Sequence, residues 1–192
     1  MVIYLFLFIA IWHPPVSSAE IDPNNTKDFE IYGIKLNSDS YSVVVEKLGD
    51  TKLVRPRSTG TGFDGPATFC YTGKEGERLT FIQGFSENYA HVTGYRLEAF
   101  PKKLNPNCKV LSKLDGSLRT HNGLGLGISK VELEKILGAP KSQTATSAKY
   151  SFEKKVAYEK GRGNIFTLDV KVDFDKAKKV KFLDVEFGGE PL

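Results

Sequence analysis

The sequence predicts an α+β protein of two tandem units, each a helix packed on a three- to four-stranded antiparallel β-meander. Three observations carry that expectation. A Gly-containing lead-in before a short helical stretch ending in Leu-Gly occurs twice, at residues 33–50 and 123–140. Alternating apolar and polar runs follow each copy. The closing strands of the two copies slip in period at matching positions.

The chain has 192 residues. Residues 2–12 form an apolar run with no charged residue, too short to span a bilayer as a helix. His13-Pro14-Pro15 breaks the run, and small residues stand at Ser17 and Ala19. This pattern reads as a signal peptide, residues 1–19, with cleavage between Ala19 and Glu20. It lacks the usual Lys or Arg near the start, which leaves an uncleaved amphipathic anchor as the alternative. No later run approaches transmembrane length, so an exported chain, periplasmic or extracellular, is expected to be soluble once cleaved.

The first unit spans residues 20–104. Its helical stretch, SDSYSVVVEKLGD, carries the stripe Val44, Val45 and Leu48 and stops at Gly49. The β-branched Val43-Val44-Val45 lowers helix propensity, so packing must hold this helix. Strands are expected at residues 52–54, 67–71, 78–85 and 91–100. A linker covers residues 105–122. The second unit spans 123–192. Ser129 and Glu132 form a capping box ahead of the stripe Val131, Leu133, Ile136 and Leu137. Gly138 stops this helix, with Pro140 beyond. Strands are expected at residues 150–158, 166–174 and 180–187, with residues 175–178 turning the last hairpin. Phe166, Leu168, Val170, Val172 and Phe174 alternate with Thr167, Asp169, Lys171 and Asp173, one face for a core and one for water. The tails align Leu79-Thr80-Phe81 with Phe166-Thr167-Leu168, and residues 92–98 with 180–186. In the latter pair Val92 precedes Tyr95 and Leu97 as Val180 precedes Leu183 and Val185, which is how a bulge looks in sequence.

With GIKLNSDSYSVVVEKLGD and GLGLGISKVELEKILGAP each followed by strands, the chain resembles the β-lactamase-inhibitor-protein-like fold. That fold is shared with the small outer-membrane assembly lipoproteins of the SmpA/OmlA type. The resemblance covers most of residues 30–188 and implies the fold, a bacterial source and a protein-binding habit. The lipoproteins' acylated Cys is missing here. The inhibitors bind through an aromatic-rich sheet face, whereas the face read in the second copy is Thr, Asp and Lys. No site residue is carried over.

Two cysteines in an exported chain are most simply a pair, so Cys70–Cys108 is the expected disulfide. The function classes narrow mainly by exclusion. A net charge of +4 without a dense basic stripe argues against nucleic acid. There is no G-x-S-x-G, H-E-x-x-H or P-loop. The G-x-G-x-x-G at residues 60–65 leads into Pro66 and a strand, so it lacks the helix N-terminus that holds a pyrophosphate. His91 and His121 have no suggestive partners, and Asp169, Asp173 and Asp175 are interleaved with lysines. No catalytic residue, metal ligand or cofactor is expected.

Two regions are candidates for binding. One is the Gly-rich loop with Arg55, Arg57 and Phe63. The other is the last hairpin, where Lys176, Lys178, Lys179 and Lys181 concentrate the charge of residues 105–192, net +5, beside residues 20–104 at −1. Such a hairpin could meet an anionic envelope component; more often Lys at a strand edge serves to discourage edge pairing, and that is the favoured reading of these lysines. The overall expectation is a non-enzymatic binding module of the cell envelope engaging another protein through the open sheet face or loops. The alternatives are a small-ligand carrier or enzyme with a site between the units, and a purely structural envelope component.

Overall fold

The computed structural model describes residues 21–23, 25–55, 65–84, 90–101, 105–159 and 162–191. After a 3-10 turn, Thr26–Phe29, the elements are α1 (Tyr41–Leu48), β1 (Ala67–Thr72), β2 (Arg78–Gln83), β3 (Val92–Glu98) and β4 (Lys109–Val110). There follow α2 (Lys130–Leu137), β5 (Ser142–Gln143), β6 (Ser147–Glu159), β7 (Arg162–Phe174) and β8 (Val180–Pro191).

These strands form one eight-stranded sheet in the order β4-β1-β2-β3-β8-β7-β6-β5. The expectation of two tandem units, each a helix packed on its own antiparallel meander, is thereby corrected; the sequence leaves open whether the units share a sheet. The sheet is single and mixed, with β4 parallel to β1, and the described helical content is two short α-helices and the 3-10 turn. The physical reason lies at β3 and β8. As the last strand of its own meander, each would be an edge with a row of unpaired N–H and C=O groups. They pair antiparallel with each other instead, from Gly94↔Glu186 to Glu98↔Phe182. The core is also single. Val44 and Leu48 of α1 and Leu133 and Leu137 of α2 belong to one buried cluster with Phe69, Phe81, Tyr95, Val170 and Val185.

The two halves nevertheless carry matching backbone features. Gly33 and Gly123 both have positive φ, as do Asn37 and Gly127 at the ends of the two lead-ins. The Asn37 N–H donates to Val92 O at 2.8 Å, and the Gly127 N–H to Val180 O at 2.7 Å. The Val92 N–H donates to Asp39 O, and that of Val180 to Ile128 O. Ser40 bridges to His91 ahead of β3, and Ser129 to Lys179 ahead of β8. The period slips are bulges at the aligned positions. Ile82↔Gly94 is followed by Gln83↔Val92, which leaves Thr93 extra. Asp173↔Phe182 is followed by Phe174↔Val180, which leaves Lys181 extra. The alignment of residues 79–81 needs a shift. Leu79 pairs with Leu97 and Val170 with Val185, so the counterpart of Leu79-Thr80-Phe81 is Val170-Lys171-Val172.

The Cys70–Cys108 disulfide is formed, with Cα atoms 4.7 Å apart. It ties β1 to the short β4 at the outer edge of the first half. The segment 105–122 therefore contributes a strand of the sheet through β4. Residues 52–54 contribute a single bridge, Val54↔Thr68, rather than a strand. Val131 is 62% exposed, outside the buried stripe of α2.

Candidate functional site

Side chains alternate across a strand, so the residues between the core positions form a second face. That face is a charged lattice. Its centre is the Arg96↔Asp184 pair, which is also the midpoint of the β3–β8 ladder. The Arg96 guanidinium donates from Nε to Asp184 Oδ1 at 3.1 Å and from Nη2 to Glu186 Oε1 at 3.0 Å. One row away, Arg78 holds Glu98 through Nε and Nη2 at 2.6 and 2.5 Å. Thr80 on β2 and Asp169, Lys171 and Asp173 on β7 extend the face on either side.

Gly94 permits the close approach of β8. A Cβ there would stand 2.4 Å from Val185 O and 3.3 Å from Glu186 Cγ, the side chain that reaches Arg96. The Asp184 side chain keeps only 7% of its exposure. Burial pushes its carboxyl up and Glu186 adds to the rise, while Arg96 pulls the other way. For Arg96 burial works against the charge, but the two carboxylates outweigh it and the guanidinium is raised. These groups satisfy one another, so the lattice is a recognition surface more naturally than a set of free acids and bases.

The lattice ends in a cleft of about 630 Å³ lined by Arg78, Glu98, Ala99, Phe100, Pro101, Asp173, Lys181 and Phe182. Phe100 is 81% exposed, and Phe182 is half-buried between Glu98 and Asp173 in register. The bulge at Lys181 lies in its wall, in keeping with the use of bulges to re-aim side chains beside binding sites. Smaller clefts lie beside α2, about 460 Å³, and between residues 21–23 and β6, about 360 Å³.

The sequence candidates are dispersed. Arg55 is exposed after the Val54 bridge, while Arg57, Phe63, Ala19 and Glu20 lie outside the described residues. Lys176, Lys178, Lys179 and Lys181 are all exposed. Lys181 lines the cleft. Lys178, at positive φ, donates from Nζ to Ala145 O at 2.6 Å, and the Lys179 N–H donates to Asp175 Oδ1 at 2.9 Å. Their turn joins β7 and β8, both interior strands, so these lysines guard no sheet edge. Among the described residues no group of three His, Cys, Asp or Glu could hold a metal ion. Arg78, Glu98, Phe100, Phe182, Arg96, Asp184 and Glu186 were not singled out by sequence. For Arg96, Glu98, Asp184 and Glu186 the signal was present as polar positions between core positions on the two bulged strands, and it becomes readable once those strands are paired. No helix among the described residues is long and apolar enough to cross a membrane. Comparison with family models, curated proteins and solved structures finds no match.

Proposed function

We propose that the chain is an exported, non-enzymatic binding module of the cell envelope that engages another protein through the Phe100 cleft of its open sheet face. The observation that carries this reading is Phe100, an aromatic ring 81% exposed in a cleft where Ala99, Pro101 and Phe182 lie among the charged Arg78, Glu98, Asp173 and Lys181. An apolar anchor within a polar rim is the usual anatomy of a protein-binding patch. Support for export comes from the leader-like residues 1–19 and from a disulfide, a bond that persists in oxidising compartments. The matched hydrogen bonds and bulges support descent of the two halves from one duplicated unit.

The test is photo-crosslinking from position 101, at the cleft rim, in an envelope extract, with Phe100→Ser as the control. A defined crosslinked partner that Phe100→Ser loses at least tenfold is the expected result. Stoichiometric binding of a metabolite in native mass spectrometry, with no partner above background, would overturn the reading in favour of a ligand carrier.

A further inference from the structure

Among the described residues, the long strand β6 is paired along its length on one side only. Its inner side pairs with β7 in unbroken register from Ser147↔Asp173 to Ala157↔Gly163. On its outer side β5 reaches only Ala148 and Lys149. There the Lys141 N–H donates to Lys149 O and the Thr144 N–H to Ser147 O. Hydrogen-bonding direction alternates along an antiparallel strand. The outward row therefore continues through Ser151, Glu153, Lys155 and Ala157, all exposed, and no described strand lies beside them. A row of this length is a template for another strand.

We infer that this edge pairs antiparallel with the same edge of a second copy, about a two-fold axis at Lys154. The warrant is that the segment Ser-Phe-Glu-Lys-Lys-Val-Ala, residues 151–157, is complementary to its own reverse. Centred on Lys154, the pairing sets Glu153 opposite Lys155 of the second copy, and Lys155 opposite its Glu153. Ser151 meets Ala157 in the same hydrogen-bonded row. On the other side of the sheet Phe152 meets Val156, and Tyr150 meets Tyr158, a ring left 62% exposed in the single chain. The parity is right for an antiparallel ladder, because outward-facing residues meet outward-facing residues. Two bonds for each of four such pairs give roughly eight backbone hydrogen bonds.

The one directly opposed like-charge pair is Lys154 against its own copy, and it is already answered within each chain. Lys154 forms an ion pair with Asp22, which leaves that position close to neutral. Within one chain Glu153 and Lys155 are 3.8 Å apart and both largely in water, so their mutual bond is worth little and is free to be exchanged. Opposite charges facing each other across a strand pair stabilise it, and like charges destabilise it. The same rule that lets lysines protect an edge against foreign strands makes this edge selective for itself. This pairing is independent of the Phe100 cleft, which lies on the opposite side of β7.

Sedimentation velocity on the purified protein tests the inference. At about 0.1 mM a pairing of micromolar affinity is essentially complete, so the protein should sediment as a dimer and dissociate on dilution. Lys155→Glu places Glu opposite Glu and should weaken the dimer at least tenfold. The reciprocal Glu153→Lys/Lys155→Glu chain places Lys opposite Glu again and should recover it. Both positions are exposed, so the melting temperature at high dilution should not move. A wild-type monomer at 0.1 mM overturns the inference. So does a dimer indifferent to Lys155→Glu, or one that the double exchange does not recover. A monomer whose Ser151 to Ala157 amides are slow to exchange would overturn it in favour of a segment of the chain's own covering the edge.

Discussion

The two halves of the sheet share a hydrogen-bonding frame and differ in what stiffens it. In the first half β1, β2 and β3 are 6, 6 and 7 residues long, and α1 begins at Ser40 with no side-chain cap. Side chains hold this helix from outside. The Tyr71 hydroxyl donates to Gly49 O at 2.8 Å just past its end, and Tyr41 donates to Thr51 O. Thr51 in turn donates to Cys70 O at 2.8 Å, beside the disulfide. In the second half β6, β7 and β8 run 13, 13 and 12 residues, and α2 carries a complete capping box. A short-stranded unit with an intrinsically weak helix is held by a covalent staple and long-range anchors. A long-stranded unit with a self-sufficient helix lacks a staple, and part of its outer strand has no partner strand among the described residues. Equivalent folds can thus be secured locally or globally, and the choice decides which surfaces remain open.

The sharpest way to break this comparison is to remove the staple. Closing a loop of 38 residues contributes roughly 4 kcal/mol in the chain-entropy description. Replacing both Cys70 and Cys108 by Ala should cost up to that amount in urea unfolding. Hydrogen exchange should locate the loss, with β1 and β2 amides losing protection ahead of those in β7. Equal loss in both halves would show that the continuous sheet unfolds as one unit and that the staple is not local in effect.

Next in size are the helix anchors. Leu133 of α2 and Val44 of α1 are both fully buried in the shared core. Leu133→Ala should cost about 3 kcal/mol, within the range for a buried leucine. Val44→Ala deletes one carbon fewer, and at about 0.8 kcal/mol per buried methylene it should cost correspondingly less. A Val44→Ala cost equal to or above that of Leu133→Ala would mean that α1 is a main support of the first half rather than a dependent of it. Chevron or equilibrium urea curves on the two variants decide this.

What could be read in advance followed from how local each signal is. Ser129 and Glu132 announce a cap because the interaction closes within three residues. The bulges at Thr93 and Lys181 were visible because each shifts an alternation within its own strand. The β3–β8 ladder was not visible, because nothing within either strand says whether its outer row faces water or another strand. The short β4 and β5 carry no periodicity at all in two residues each; they exist because β1 and β6 offer them a row to bond. The charged lattice was hidden for the same reason. Arg96 lies 88 residues from Asp184, and only the nonlocal pairing brings them together. Phe100 was read as the end of a strand, and its exposure depends on the sheet continuing past it.

The smallest expected effect separates the two helix starts most cleanly. The Ser129 hydroxyl accepts from the Glu132 N–H at 3.2 Å, and the Glu132 carboxylate accepts from the Ser129 N–H at 2.7 Å. Ser40 instead shares a hydrogen bond with the Ser42 hydroxyl at 2.7 Å. Ser129→Ala should therefore cost about 1 kcal/mol, and Ser40→Ala little, because only the first removes a cap. The carboxylate gives an independent readout. The hydrogen bond from the Ser129 backbone, first, and its side chain hold the Glu132 carboxyl below the usual glutamate range. A lowered folded value means that the box stabilises above the ordinary glutamate range and is lost as pH falls through the lowered value. In Glu132→Gln that acid-side dependence should vanish while neutral-pH helicity changes little, since an amide can still accept from the Ser129 N–H. NMR titration of the side-chain carboxyl measures the shift directly, and Ser129→Ala should raise it partway, because the backbone donor remains. Were Ser40→Ala to cost as much as Ser129→Ala, or were Glu132 to titrate at its ordinary value, the local support assigned to the second half would fail at its source.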